Sequence, residues 1–171
     1  MTKLSLYLAT LLLGTNFSAS TMPGNAPLAA VSTAQVSAME QKYVDLTNAE
    51  RWDKNLRVLS TNPLLTQVAR EHSKEMWEKN YFDHNSPTPG LKTPMDRYLK
   101  ALGHTPTYAY LAENLFYCSV VDVDRGQSCL MNSQKHRKNI LDPKFEQMGV
   151  GIFVSPDGQF WVTELFLAQI D

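Results

Sequence analysis

Along residues 36–55 the apolar positions Val36, Met39, Tyr43 and Leu46 fall three and four apart, with Thr47 and Glu50 continuing the series. That spacing predicts an amphipathic helix. A second helix announces its own start. Asn62 is a capping residue, and Pro63 sits at the first helical position, where no intrahelical N–H is needed. Leu64, Leu65, Val68, Ala69, His72, Met76 and Trp77 then trace one face to about Asn80. His72 lies in the middle of that face, which predicts a core histidine holding a hydrogen bond rather than a ligand. Residues 81–90 contain Pro87, Pro89 and Gly90 and read as a loop anchored by Tyr81 and Phe82. A third helix follows, capped by Thr93 and opened by Pro94 and Asp96. Its stripe is Met95, Tyr98, Leu99 and Leu102, and Gly103 ends it.

From Tyr108 to Cys118 the period drops to two, the period of a strand. Alternation puts Leu111, Glu113 and Leu115 on one face and Tyr110, Ala112, Asn114 and Phe116 on the other. A carboxylate between two leucines is costly to bury alone. Glu113 therefore requires a cationic, metal or hydrogen-bonding partner, unless the strand is an edge strand with that face wet. Asp122 caps a further helix that runs to Ser133. If the helix continues, Ser133 and His136 share a side. Asp142-Pro143 breaks the chain. Residues 148–154 and 159–167 then read as strands joined by Ser155-Pro156-Asp157-Gly158, a hairpin signal. Gly149 and Gly151 let another backbone come close. Glu164 falls on the last strand, on a face expected to be solvated. Helices followed by strand, helix and hairpin make an α+β domain.

The 171 residues suit one domain with a real core, and the net charge of −1 gives no footprint for nucleic acid. Lys3 followed by the apolar run 4–13, too short to span a bilayer comfortably, predicts a signal peptide over residues 1–20. Cleavage falls after Ser18-Ala19-Ser20 or later, near Ala29-Ala30, and an uncleaved anchor is the alternative. Residues 21–37, rich in Ala, Ser, Pro and Thr, read as a disordered linker, and residues 38–171 as the domain. The mature chain is expected to be secreted or periplasmic, monomeric and without a transmembrane segment. Disulfides persist in such compartments, so Cys118 and Cys129 are expected to be bridged. Two buried free thiols are the alternative.

His84 reads equally as a turn residue and as a ligand. His136, flanked by Lys135, Arg137 and Lys138, reads as a solvated helix end or a site. No GxSxG, HExxH, phosphate-binding loop or dinucleotide fingerprint is present. FDHNSP around His84, AENLF around Glu113 and SQKHRKNILDPKFEQMGVGI around His136, in that order, resemble the CAP superfamily. This is the cysteine-rich secretory protein, antigen 5 and pathogenesis-related 1 group, or SCP domain, here similar to its small secreted bacterial members from about Met39 onward. The resemblance implies a three-layer α-β-α sandwich with a central antiparallel-type sheet. It also implies a cavity lined by two histidines and two acids, which in some relatives holds a divalent metal. His84, Glu113 and His136 match three of these positions. Ser133 stands at the second acid, and Ala112 where glycine usually precedes the first. Glu164 is a less favoured substitute for the missing carboxylate.

Two neutral imidazoles and one carboxylate suit Zn²⁺ with a fourth position open. Without metal, Glu113 would bond one histidine and raise its pKa. The resemblance implies sterol or lipid binding, cell-wall or host interaction, or in some members proteolysis. The expected function is a secreted binding module for a divalent metal or a small polar, lipid or cell-envelope ligand, rather than an enzyme. A metal- or His136-dependent hydrolase and a purely structural domain are the alternatives.

Overall fold

The structure, a computed structural model, describes residues 31–170. The predicted signal peptide and most of the predicted linker lie outside the described residues. The first helix, α1 (Thr33–Asp53), begins at a capping box: the Ser32 hydroxyl accepts from the Gln35 N–H, and the Gln35 side chain accepts from the Ser32 N–H. Local cap chemistry thus starts the helix inside the stretch whose composition reads as linker. A two-residue strand, β1 (Ser60–Thr61), leads into α2 (Pro63–Glu78), whose first N–H groups at Leu64 and Leu65 bond the Asn62 side chain. α3 (Pro94–Leu102) has the predicted Thr93 cap, completed into a capping box by Asp96, and stops at Gly103, where φ is 80°. Then come β2 (Tyr108–Cys118), α4 (Val123–Asn132), α5 (Gln134–Ile140), β3 (Gln147–Val154) and β4 (Phe160–Ile170).

The sheet order is β1-β3-β4-β2, with β1 parallel to β3 and the other pairs antiparallel. Alternation along β4 divides the core. Phe160, Val162 and Phe166 pack with Tyr43 and Val44 of α1, Leu130 of α4 and Ile140 of α5. Leu165 and Leu167 pack on the other side with Leu65, Val68 and Ala69 of α2 and Tyr98 of α3. The result is the expected three-layer α-β-α sandwich.

Two glycines set how close one helical layer lies. A Cβ at Gly151 would sit 2.0 Å from the Arg70 nitrogen and 2.2 Å from the Ala69 carbonyl carbon; one at Gly149 would sit 2.3 Å from the Thr66 nitrogen. The obstacle is backbone, so no rotamer relieves it. Gly151→Ala is expected to lower unfolding stability by about 3 kcal/mol or more, at or beyond the upper end of ordinary overpacking. A urea midpoint equal to the wild type would show that α2 can back away from β3 without loss.

The pattern places Thr47 on the α1 face but does not foresee Glu40 and Arg51, which are buried there with it beside Tyr43 and Val44. Arg51 has no exposed surface. Its Nε donates to the Arg57 carbonyl at 2.8 Å, and Nη1 to those of Ile140 and Asp142 at 2.8 and 2.9 Å. Nη2 reaches the Phe145 carbonyl at 3.4 Å. The guanidinium therefore serves carbonyls that the end of α5 and the following turn leave without helical partners. Glu40 has a related role at the outer edge of β3. β1 ends at Thr61, the Asn62 N–H then bonds the Met148 carbonyl, and the Ile152 N–H donates to Glu40 at 3.1 Å.

One expectation is corrected. Cys118 and Cys129 are both free, Cys118 buried at the end of β2 and Cys129 exposed on α4. A bridge needs two Cβ vectors turned toward each other, which nearness in sequence does not ensure. The helix from Asp122 ends at Ser133 as predicted and does not continue, so Ser133 and His136 do not share one helix. Ser133 is extended, with φ −86° and ψ 118°, and separates α4 from α5.

Candidate functional site

Residues 81–92 are held to the helices by two charged side chains. Glu75 of α2 accepts from the Tyr81 hydroxyl at 2.7 Å, from Lys79 at 2.8 Å and from the Thr88 hydroxyl. Burial alone would raise the Glu75 carboxyl, but donation by Lys79, Thr88, Tyr81 and Ser86 outweighs it and holds the group at about 2. Arg97 of α3 is 5% exposed, and its Nη1 donates to the carbonyls of His84, Leu91 and Lys92 at 3.1, 3.3 and 3.3 Å. The Phe82 ring, itself half-exposed, leans on Trp161 and Tyr117 at centroid distances of 6.1 and 6.2 Å.

The same Arg97 answers the burial of Glu113. Nη2 donates to Glu113 Oε1 at 2.6 Å, and His84 Nδ1 lies 2.8 Å from Oε2. The Glu113 side chain is 1% exposed and that of His84 51%. A carboxylate only accepts, so the Nδ1 proton points to Glu113, and Nε2 is the nitrogen left for a ligand. The bond to Glu113 raises the His84 pKa; burial opposes it, and the charges of Glu113 and Asp83 add to the rise.

His72 is the core histidine its position predicts. Nε2 lies 3.2 Å from the Asp83 carbonyl and Nδ1 3.3 Å from the Tyr81 hydroxyl, and burial pushes its pKa down.

His136 stands on α5, and its backbone carbonyl accepts from Asn114 Nδ2 at 3.2 Å. Burial lowers the pKa of its ring, and His84 and then Lys135 lower it further, so the two imidazoles lie within electrostatic reach. Among the described residues no hydrogen bond joins the His136 ring to Glu113 or to Ser133. Ser133 makes no side-chain cap bond.

Glu164 departs from expectation. Its face is not solvated: the residue is fully buried. The register pairs Glu164 with Asn114, and Glu113 with Leu165. Opposed residues share a face, so the two carboxylates lie on opposite sides of the sheet. Glu164 therefore does not supply a second acid beside His84.

The donor set fits a three-ligand zinc site poorly. Both Glu113 oxygens are taken, one by a buried cation, and among the described residues no three His, Cys, Asp or Glu side chains are placed to hold a metal ion. Sequence reasoning required a partner for Glu113 but did not identify Arg97. In the α3 pattern Arg97 is a polar position between Met95 and Tyr98, and nothing local marks it as buried.

The chain matches the family described as CAP, cysteine-rich secretory protein family, over residues 44–166. It is 40% identical over 143 residues to the uncharacterised protein YkwD of Bacillus subtilis, covering 80% of this chain and 49% of that protein. It is 33% identical over 114 residues to the uncharacterised membrane protein YlbC of the same organism, covering 66% of this chain and 31% of YlbC. The chain thus spans about half the length of the first and about a third of the second. A solved extracellular protein containing an SCP domain, from Bacillus anthracis, superposes with a TM-score of 0.67 at 31% identity, covering 83% of this chain and 45% of that one.

Proposed function

The chain belongs to the CAP family of cysteine-rich secretory proteins, and on that premise we propose that it is an extracellular binding module whose ligand carries a small anionic or polar head group. The extracellular character of the Bacillus anthracis relative supports the location. No helix among the described residues is long and apolar enough to cross a membrane.

One observation carries the ligand reading: the buried Glu113 carboxylate is held between Arg97 and the half-exposed His84. The pairing favours imidazolium, so His84 offers a charge-assisted Nε2–H donor to an acceptor on the ligand. His136 lies near it, and Lys135, Arg137 and Lys138 on the same short helix add positive charge that favours anions.

Calorimetry with inorganic phosphate and with vesicles of anionic phospholipid tests this at pH 6 and pH 8. Phosphate should bind more tightly at pH 6. His84→Ala should weaken it by about tenfold or more, the loss of one hydrogen bond to a charged group. Binding to vesicles but not to free phosphate would point to a lipid as the source of the head group. Zinc gives the opposite pH trend, because it needs neutral imidazole. Zinc binding that strengthens from pH 6 to pH 8 and is lost in both His84→Ala and His136→Ala, with no phosphate binding, would replace this reading by the metal one.

A further inference from the structure

On the sheet face opposite Glu113, a second polar cluster is enclosed by α1, α4, β2 and β4. Glu164 lies at its centre with no exposed surface. Two donors reach its carboxyl: Asn114 Nδ2 at 3.0 Å and the Thr47 hydroxyl at 3.5 Å. The Thr47 hydroxyl is also 3.5 Å from Gln127 Oε1, and its single proton serves one acceptor or the other. Tyr43 and Gln127 each hold a donor, the hydroxyl and Nε2, that is buried without a partner. The Tyr43 hydroxyl rests on Gly126, beside Gln127; a Cβ there would lie 1.7 Å from it.

These groups admit two hydrogen-bond arrangements. With Glu164 protonated, its O–H donates to Thr47, which donates to Gln127, and the chain is complete. With Glu164 ionised, Thr47 turns back toward it, and the carboxylate draws harder on Asn114. But Asn114 has other commitments. Its Nδ2 also donates to the His136 carbonyl at 3.2 Å. Its Oδ1 accepts from Asn139 Nδ2 at 2.9 Å, and Asn139 in turn donates to the Glu113 carbonyl at 3.3 Å. Asn114 therefore ties Glu164 to both ends of α5.

Burial raises the Glu164 carboxyl to about 7, against the opposing hydrogen bonds of Asn114 and Thr47. Of the titratable groups nearby, Tyr43 faces it from α1, its hydroxyl pushed far up by burial and by Glu164. Cys129 and Asp122 on the α4 side and Cys118 on β2 act on Tyr43 in turn. β3 contributes Val150 opposite Glu164, and the Arg51 guanidinium is taken up by backbone carbonyls.

We propose that Glu164 is a buried protonic switch whose ionisation redraws the hydrogen bonds of Asn114 and so resets the seat of α5, the helix that carries His136. Its consequence for ligand affinity rests on the binding role assigned to His84 and His136. The switch itself belongs to the ligand-free chain.

The test is amide NMR of the ligand-free protein between pH 5 and pH 8.5. The side-chain amides of Asn114 and Asn139 and the backbone amides of residues 134–140 should move together, with one midpoint near 7. The transition should persist in His136→Ala and vanish in Glu164→Gln. A transition that survives in Glu164→Gln, or disappears in His136→Ala, overturns the proposal. If Glu164→Gln does not fold, the side-chain carboxyl carbon of Glu164 in the wild type decides: a midpoint at or below the ordinary 4.5 sinks the switch. None of these signals needs bound phosphate, so a failed ligand reading and a failed switch remain distinguishable.

Discussion

Arg51→Ala is expected to remove at least about 4 kcal/mol of stability, because several buried carbonyls lose a charged donor at roughly 1–3 kcal/mol each. That is a large part of the roughly 5–15 kcal/mol that holds an ordinary domain together. The groups at risk are the carbonyls of Ile140 and Phe145, bonded in buried positions, and those of Arg57 and Asp142, bonded in part-buried ones, at the junction between α1, α5 and β3. Arg51→Lys keeps the charge but replaces a planar fork by one ammonium. It should serve Ile140 and Asp142 while abandoning Arg57, with roughly half the loss. Urea denaturation of both variants checks the order. An alanine variant within about 1 kcal/mol of wild type would mean that those carbonyls find other donors.

Glu113→Gln is expected to act on stability and on the site together. It leaves the Arg97 guanidinium buried without a counter-charge, for which about 3–5 kcal/mol is typical. Arg97→Met alone should cost a similar amount from the other side. Glu113→Leu with Arg97→Met should recover much of the loss, because a packed apolar pair carries no unpaired charge. If the double variant is as unstable as the sum of the singles, the pair is not what makes either one costly. The pH readout is separate. The pKa of His84 is raised in the folded chain above its ordinary 6.5. Its contribution to stability is thus fully present below about 6.5 and is lost as pH rises through the elevated folded value. Glu113→Gln should flatten that part of the stability–pH curve and return the His84 ring, followed by NMR, toward 6.5.

Most of the frame was legible because its signals are local. Asn62, Thr93 and Asp122 cap helices by side chains reaching residues two or three positions on, and Gly103 stops one by its positive φ. The period-two run at Tyr108–Cys118 is a strand over that same range. Glu113 was legible as a problem, since a carboxylate between leucines must be answered. Its answer was not, because Arg97 reaches it only through the packing of α3 on β2. Glu164 failed in the opposite sense. A lone acid on a terminal strand reads as solvent-facing, and only α1 and α4, from distant parts of the chain, close over it. The cysteines failed for a third reason: spacing bounds the size of a loop but not the direction of a side chain.

The Glu40 carboxylate at the outer edge of β3 has a consequence beyond stability. An unpaired strand edge invites another strand, and the usual safeguards are a short edge, a charge or a covering element. Here all three meet. β1 is two residues long, α1 and α2 lie across the remainder, and the Ile152 N–H, the group an added strand would seize, donates to a carboxylate that is itself paired with Arg70. Sheet growth by a second copy or by an adjoining segment is closed off on that side. Such an edge suits a domain with close neighbours, and both the Bacillus subtilis protein YkwD and the Bacillus anthracis structure extend well beyond the part this chain matches.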